Sequence, residues 1–154
     1  VYIRLEMANE PEIYEKDYDF KLSKNVIIKK GKDAAVFSTG SIINEVIQAC
    51  VRLEKLGISV EIINVHTIKP FDRENLIYEA SNHKYLFSIE EHSIIGGLGG
   101  LISEILIEEN IMTKFKRIGL VDCFAKGYGT QQEVRKMNSL DADSIYSIIE
   151  KAVK

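Results

Sequence analysis

Five short apolar runs, each closed by turn residues, constrain this chain more than any other feature. They are Val26-Ile27-Ile28, Ala34 to Phe37, Ile58 to Val65, Tyr85 to Ile89 and Arg117 to Val121. The first two are separated by the turn Lys30-Gly31-Lys32-Asp33. The later ones are separated by segments of helical period. Ser41 stands as an N-cap before Ile42, Ile43, Val46, Ile47, Cys50, Leu53 and Leu56, and Gly57 ends that helix. Pro70 and Asp72 open a second helix carrying Leu76, Ile77 and Ala80, and Leu98 to Leu106 forms a third. The last helix starts at Asp141, where Leu140 can pack on Ile145 as a hydrophobic staple, and Ile148, Ile149, Ala152 and Val153 continue the stripe. Strands alternating with helices of this length imply an α/β fold whose mostly parallel sheet is covered on both faces.

With 154 residues the chain can bury a continuous core as one domain, and 45% apolar residues with a net charge of −3 describe an ordinary globular protein. Neither a basic footprint for nucleic acid nor an apolar run near the ~18 residues of a membrane span is present. Cys50 and Cys123 form no CxxC and have no metal-like spacing with the histidines, so a reduced, cytoplasmic setting is expected. Residues 5 to 24 carry six acids, Pro11, Tyr14, Tyr18 and Phe20 without sustained periodicity. They suggest an extended lead-in whose aromatics pin it to a surface. The boundaries expected are therefore residues 1–24 as the end of a preceding domain and its linker, and 25–154 as the domain proper. The strand-like opening VYIRL adds to the expectation that the chain is a piece of something longer.

The segment EEHSIIGGLGG, Glu90 to Gly100, follows the fourth apolar run and leads into a helix. Such a turn is where open α/β sheets bind ligands. It fails the specific nucleotide tests. A G-x-G starting at Gly97 needs a third glycine at 102, which is Ile102, and no GK[ST] occurs. The alternative is that Gly96, Gly97 and Gly99 let the helix approach the sheet closely. Glu90, Glu91 and His92 are candidates for acid–base work, but adjacent residues in a strand point to opposite faces. At most one of the two glutamates then faces His92, and an interdomain hydrogen-bond network fits as well. His66 precedes the turn into Pro70 and suits a structural or interface role, whereas His83, in Ser-Asn-His-Lys, reads as a solvated turn. Arg4, a lone arginine in an apolar strand end, suits bidentate binding of phosphate or carboxylate; pairing with Glu6 is the alternative. Cys50 belongs to an apolar stripe, Cys123 to a loop without a base partner. No nucleophile triad and no metal site emerges, so the residues describe a domain without self-contained catalytic apparatus.

Several segments, in order along the chain, resemble the C-terminal domain of transketolase. The likeness is to the split enzymes that join the pyrimidine-binding and C-terminal domains in one polypeptide. They are VYIRL (1–5), the acidic linker to Asp19, GKDAAVFSTGS (31–41), LEKLGISVEIINVHTIKPFD (53–72), SIEEHSIIGGLGG (88–100) and KRIGLVDCF (116–124). The 1-deoxyxylulose-5-phosphate synthases share this layout but tend to begin tyrosine-proline-arginine-glycine and to carry asparagine where His92 stands. The β subunits of 2-oxo acid dehydrogenases, whose equivalent domain docks a partner protein, share the fold and match these motifs poorly.

The resemblance implies a three-layer α/β/α domain with a five-stranded sheet whose first strand is antiparallel. It implies a parent enzyme transferring a two-carbon ketol unit between phosphorylated sugars. That enzyme would use thiamine diphosphate and a divalent metal (magnesium) in sites built by other domains across a homodimer. No cofactor is expected on this domain, which would be inert alone. It would meet the remaining transketolase domains or an N-terminal subunit. Glu90, Glu91, His92, Gly96, Gly97 and Gly99 would form an interface or active-site border. Arg4 stands where the family's sugar-phosphate arginine stands. Departures from the family pattern occur at Glu6, Met7, Gly100, Cys123 and Ala125, near the site, and open the way to a substrate other than the common pentose phosphates.

Overall fold

The computed structural model describes residues 1–3, 10–14, 18–124 and 127–154. Arg4, Glu6, Met7 and Ala125 lie outside the described residues. The elements run β1 (Val26–Lys29), β2 (Ala34–Thr39), α1 (Ile43–Glu54), β3 (Val60–Asn64), α2 (Arg73–Asn82), β4 (Tyr85–Ser93), α3 (Leu98–Glu108), β5 (Lys114–Leu120), α4 (Gln131–Met137) and α5 (Ala142–Val153). The strands form one five-stranded sheet in the order β1-β3-β2-β4-β5. The outer pair β1–β3 is antiparallel; β3–β2, β2–β4 and β4–β5 are parallel. This is the expected mixed sheet with an antiparallel first strand.

Alternation along the strands divides the core in two. Ala34 and Val36 of β2, Val60 and Ile62 of β3, and Phe87 and Ile89 of β4 face α1 and α5, whose Val46, Cys50, Leu53, Ile145 and Ile149 complete that layer. Their neighbours Ala35, Phe37, Ile63 and Leu86 point the other way, onto Leu76 and Ala80 of α2 and Leu98, Ile102 and Ile105 of α3. A two-residue side-chain period thus supplies both layers from the same strands. Each fully buried Ile, Leu or Phe contributes about 1.5–3 kcal/mol. Leu140, just before α5, and Ile145 are both buried in the first layer, as a staple requires. Cys50 is buried there too.

Asp72 caps α2, its carboxylate accepting the Asn75 N–H at 3.3 Å. It also accepts the Asn25 N–H at 2.9 Å, which ties the start of β1 to that helix. The lead-in is pinned by its aromatics. Tyr14 stacks on Tyr18 at 4.0 Å between centroids, Tyr18 meets Phe20 edge-on, and Phe20 packs on the His66 ring at 4.6 Å. The Asn64 amide donates to the Tyr14 hydroxyl, so the lead-in crosses the carboxyl end of β3.

Three local expectations change. Ser41 does not cap α1, whose first turn follows Ile42 without a side-chain cap, because the Ser41 hydroxyl is committed to Glu91 and Arg135. The strand β4 continues past Ile89 through Glu90, Glu91 and His92 to Ser93. Helix α4 was not expected, although Thr130-Gln-Gln-Glu133 spells a capping box. The Thr130 hydroxyl accepts the Glu133 N–H while the Glu133 carboxylate accepts the Thr130 N–H.

Candidate functional site

The strand β2 feeds α1 on one face of the sheet, and its neighbour β4 feeds α3 on the other. Their carboxyl ends are therefore the topological switch point, the crevice in which open α/β sheets hold ligands. A hollow of about 430 Å³ opens there, lined by Thr39, Gly40, Ser41, Glu90, Glu91, His92 and Gln131. An adjoining hollow shares Thr39, Glu90 and His92 and adds Lys69, Gly96, Gly97 and Glu104. Glu90, Glu91, His92, Gly96 and Gly97 thus meet at one place, and Gly99 lies just behind it in the first turn of α3.

Glu90 is only 2% exposed. Its Oε2 accepts the Leu98 N–H at 2.7 Å and its Oε1 the Gly99 N–H at 2.9 Å. A carboxylate on the first amides of a helix satisfies donors that have no partner within the helix, and it sits at the positive end of the helix dipole. Glu90 thereby occupies the position a bound phosphate would take. The glycines are matched to it. A Cβ at Gly97 would lie 2.1 Å from Glu90 Oε2 and 2.7 Å from the Ser93 carbonyl oxygen. A Cβ at Gly99 would lie 2.5 Å from Ser88 Oγ on the strand below. Gly96 takes φ +73°, the left-handed turn that swings the chain into α3. This helix end does not fit a diphosphate, because its amides are already held.

Glu91 points to the opposite layer, as alternation requires. Arg135 of α4 donates to both of its oxygens at 2.8 Å, in a bidentate pair. The guanidinium, 5% exposed, also donates to Ser41 Oγ at 3.0 Å and to Glu45 Oε1 at 3.5 Å, and it lies 3.6 Å from Glu10 of the lead-in. Glu45 in turn accepts the Ala142 N–H at 2.8 Å at the start of α5. Burial alone would raise the Glu91 pKa; the hydrogen bonds and charge of Arg135, with Ser41, outweigh it and hold Glu91 below the ordinary carboxylate range. The Arg135 guanidinium is held correspondingly high, chiefly by its hydrogen bonds to Glu91.

His92 is not buried with Glu90. Between Ile89 and Ser93 the register against β5 shifts, since Ile89 pairs with Ile118 and Ser93 with Leu120. The irregularity breaks simple alternation and leaves His92 exposed at the rim of both hollows. His66 serves the lead-in: its ring packs on Phe20 and its Nδ1 lies 2.7 Å from Thr67 Oγ1. His83 is not a solvated turn; it is 7% exposed, in a cluster with Glu61 and Glu79 at the other end of the sheet. Burial, then the neighbouring Glu61 charge, pushes Glu79 above the ordinary carboxylate range. Sequence reading found neither this cluster nor Arg135.

Two outcomes follow from this geometry. Gly97→Ala forces the Glu90 carboxylate off the α3 amides and costs about 1–3 kcal/mol. Gly100→Ala, at a helical position with nothing within 4 Å of its would-be Cβ, gains about 0.5–1 kcal/mol. Guanidinium denaturation of the two variants checks the contrast, and equal effects would refute it. Glu91 contributes stability that is present above its unfolded pKa and lost as pH falls through its depressed folded value. The stability gap between wild type and E91Q should be widest near neutral pH and close in acid, as melting temperatures across pH will show. A gap independent of pH would remove the assignment.

The family described as "Transketolase, C-terminal domain" matches residues 23–145. An apulose-4-phosphate transketolase subunit of Actinobacillus succinogenes is 37% identical over 148 residues, covering 96% of this chain and 48% of that protein. A 6-deoxy-6-sulfo-D-fructose transketolase subunit of a Clostridium species is 36% identical over 126 residues, covering 82% and 39%. Among solved structures, a split gene transketolase described as an inactive beta4 tetramer superposes with a TM-score of 0.84 at 31% identity, over 93% of this chain and 46% of that one. This chain spans about half the length, or less, of these relatives. With that match over most of its length and the same fold in a solved relative, the chain belongs to the transketolase C-terminal domain family.

Proposed function

We propose that this domain works within a split transketolase-type enzyme that moves a two-carbon ketol unit between anionic sugars. One observation carries the reading. Both carboxylates at the switch point are spent on the fold, Glu90 on the α3 amides and Glu91 on Arg135. The crevice then supplies a shaped wall with His92 at its rim, and the chemistry belongs to another part of the enzyme. In this reading thiamine diphosphate and magnesium sit in the domains that precede or partner this one. The Glu90–Gly100 turn borders that site and helps form the homodimer.

Relatives support the reading. The solved split gene transketolase that this chain superposes on is an inactive beta4 tetramer, as expected when one kind of subunit is present alone. By their names, two relatives act on apulose-4-phosphate and 6-deoxy-6-sulfo-D-fructose, sugars that end in a phosphate or a sulfonate. Arg4 is proposed as the ligand of that anion, since a guanidinium binds such tetrahedral groups bidentately. The departures at Gly100, Cys123 and Ala125 favour a substrate outside the common pentose phosphates. Free Cys50 and Cys123 suit a reducing cytoplasm, and no helix among the described residues is long and apolar enough to cross a membrane.

The test is reconstitution. The complete subunit that contains this domain, mixed with its N-terminal partner, thiamine diphosphate and magnesium, should transfer a ketol unit; this chain alone should not. Turnover by the chain alone would overturn the proposal. In the assembled enzyme Arg4→Ala should raise KM for the anionic sugar far more than it lowers kcat, and an unchanged KM would remove Arg4 from the site.

A further inference from the structure

A second polar cluster lies at the amino end of the parallel strands, away from the switch point. Glu61 of β3, Glu79 of α2 and His83 at the end of α2 each bring one ligand atom to within 4.8 Å of the others. They are 2%, 2% and 7% exposed. Glu61 Oε2 accepts the Gly31 N–H at 3.2 Å, but Oε1 is buried and accepts no hydrogen bond. Lys30, on the exposed β1–β2 turn, approaches that oxygen to 3.5 Å without donating to it. A buried carboxylate clustered with a second carboxylate and an imidazole, one of its oxygens accepting no hydrogen bond and met by a single lysine at ion-pair distance, is costly unless a further cation or a proton is shared among them.

Both ring nitrogens of His83 lie against oxygens. Its Nδ1 lies 3.0 Å from the Glu79 carbonyl oxygen and 3.4 Å from Glu79 Oε2, while Nε2 lies 3.3 Å from the Gly31 carbonyl oxygen. A neutral ring carries one N–H. That N–H keeps one backbone carbonyl, as the outer hydrogen bond of a ligating imidazole does, and the other nitrogen is left with its lone pair facing an oxygen, a contact that a cation between them would relieve. Asn75 Nδ2, 3.4 Å from Glu79 Oε1, steadies the second carboxylate in the same way.

We propose that Glu61, Glu79 and His83 form a binding site for a divalent transition ion of the zinc type. One imidazole nitrogen and two carboxylates suit zinc, which takes mixed nitrogen and oxygen ligands and holds a fourth position for water. Magnesium keeps several waters and prefers oxygen alone, which a closed site with an imidazole does not offer. The two negative charges offset the ion. Its position joins β3 to the end of α2 beneath the β1–β2 turn, so its effect is on stability and not on the crevice.

Zinc chloride titrated into chelator-treated protein, followed by calorimetry and by melting temperature, tests the site. The expected result is one ion per chain with a raised melting temperature. Affinity should fall at least ~10-fold in His83→Ala and in Glu61→Gln, and stay unchanged in Cys123→Ser. Glu61→Gln keeps the side-chain shape, so it decides the matter if His83→Ala does not fold. Absence of uptake at a large zinc excess would overturn the site, with the carboxylates then sharing a proton. So would uptake that survives Glu61→Gln or that is lost in Cys123→Ser.

Discussion

A single carboxylate positions the switch point of this domain. Glu90, buried at the carboxyl end of β4, holds the Leu98 and Gly99 amides and so fixes where α3 begins. Charge-assisted hydrogen bonds of this kind contribute about 1.5–3 kcal/mol each, comparable to burying a large apolar side chain. They hold only if the helix end can come within hydrogen-bond reach of the strand. The missing side chains at Gly97 and Gly99 permit that approach. Acid and glycines therefore form one device, and the layer built on Leu98, Ile102 and Ile105 depends on it.

The adjacent residue performs the same kind of work for the other layer. Glu91 holds Arg135, and Arg135 gathers Ser41 after β2, Glu45 of α1 and Glu10 of the lead-in. Two consecutive residues of one strand thus connect elements on opposite faces of the sheet. Removing Arg135 would leave buried Glu45 and the part-exposed Glu91 and Glu10 facing one another without their shared cation.

Much of this architecture was legible in the sequence for a simple reason: the two periods, two for strands and 3.6 for helices, are local. Val36 and Phe37 announce opposite layers by adjacency alone, and Glu90 and Glu91 do the same. What local pattern could not show are features decided by partners far away. The register shift after Ile89 depends on how β5 pairs, and it places His92 at the rim. Ser41 left its capping role for partners 50 and 94 residues distant. Glu79 and His83 stand four residues apart at the end of α2, a spacing that puts both on one helix face, but Glu61 joins them from β3, which no local spacing shows. The helix α4 was a different kind of miss, since its capping box at Thr130 and Glu133 stands in the sequence.

That last helix carries a consequence for how the domain comes apart. Arg135 is the one buried residue of α4. The helix is therefore anchored by a charge in a cage of acids, while α1, α2, α3 and α5 are anchored by apolar stripes. It can detach without opening either hydrophobic layer, at the cost of exposing a ring of carboxylates beside the crevice. The rim of the crevice would then change from a neutralised wall to a negative one. The seating of α4 therefore sets the charge of the crevice rim through the one guanidinium of Arg135.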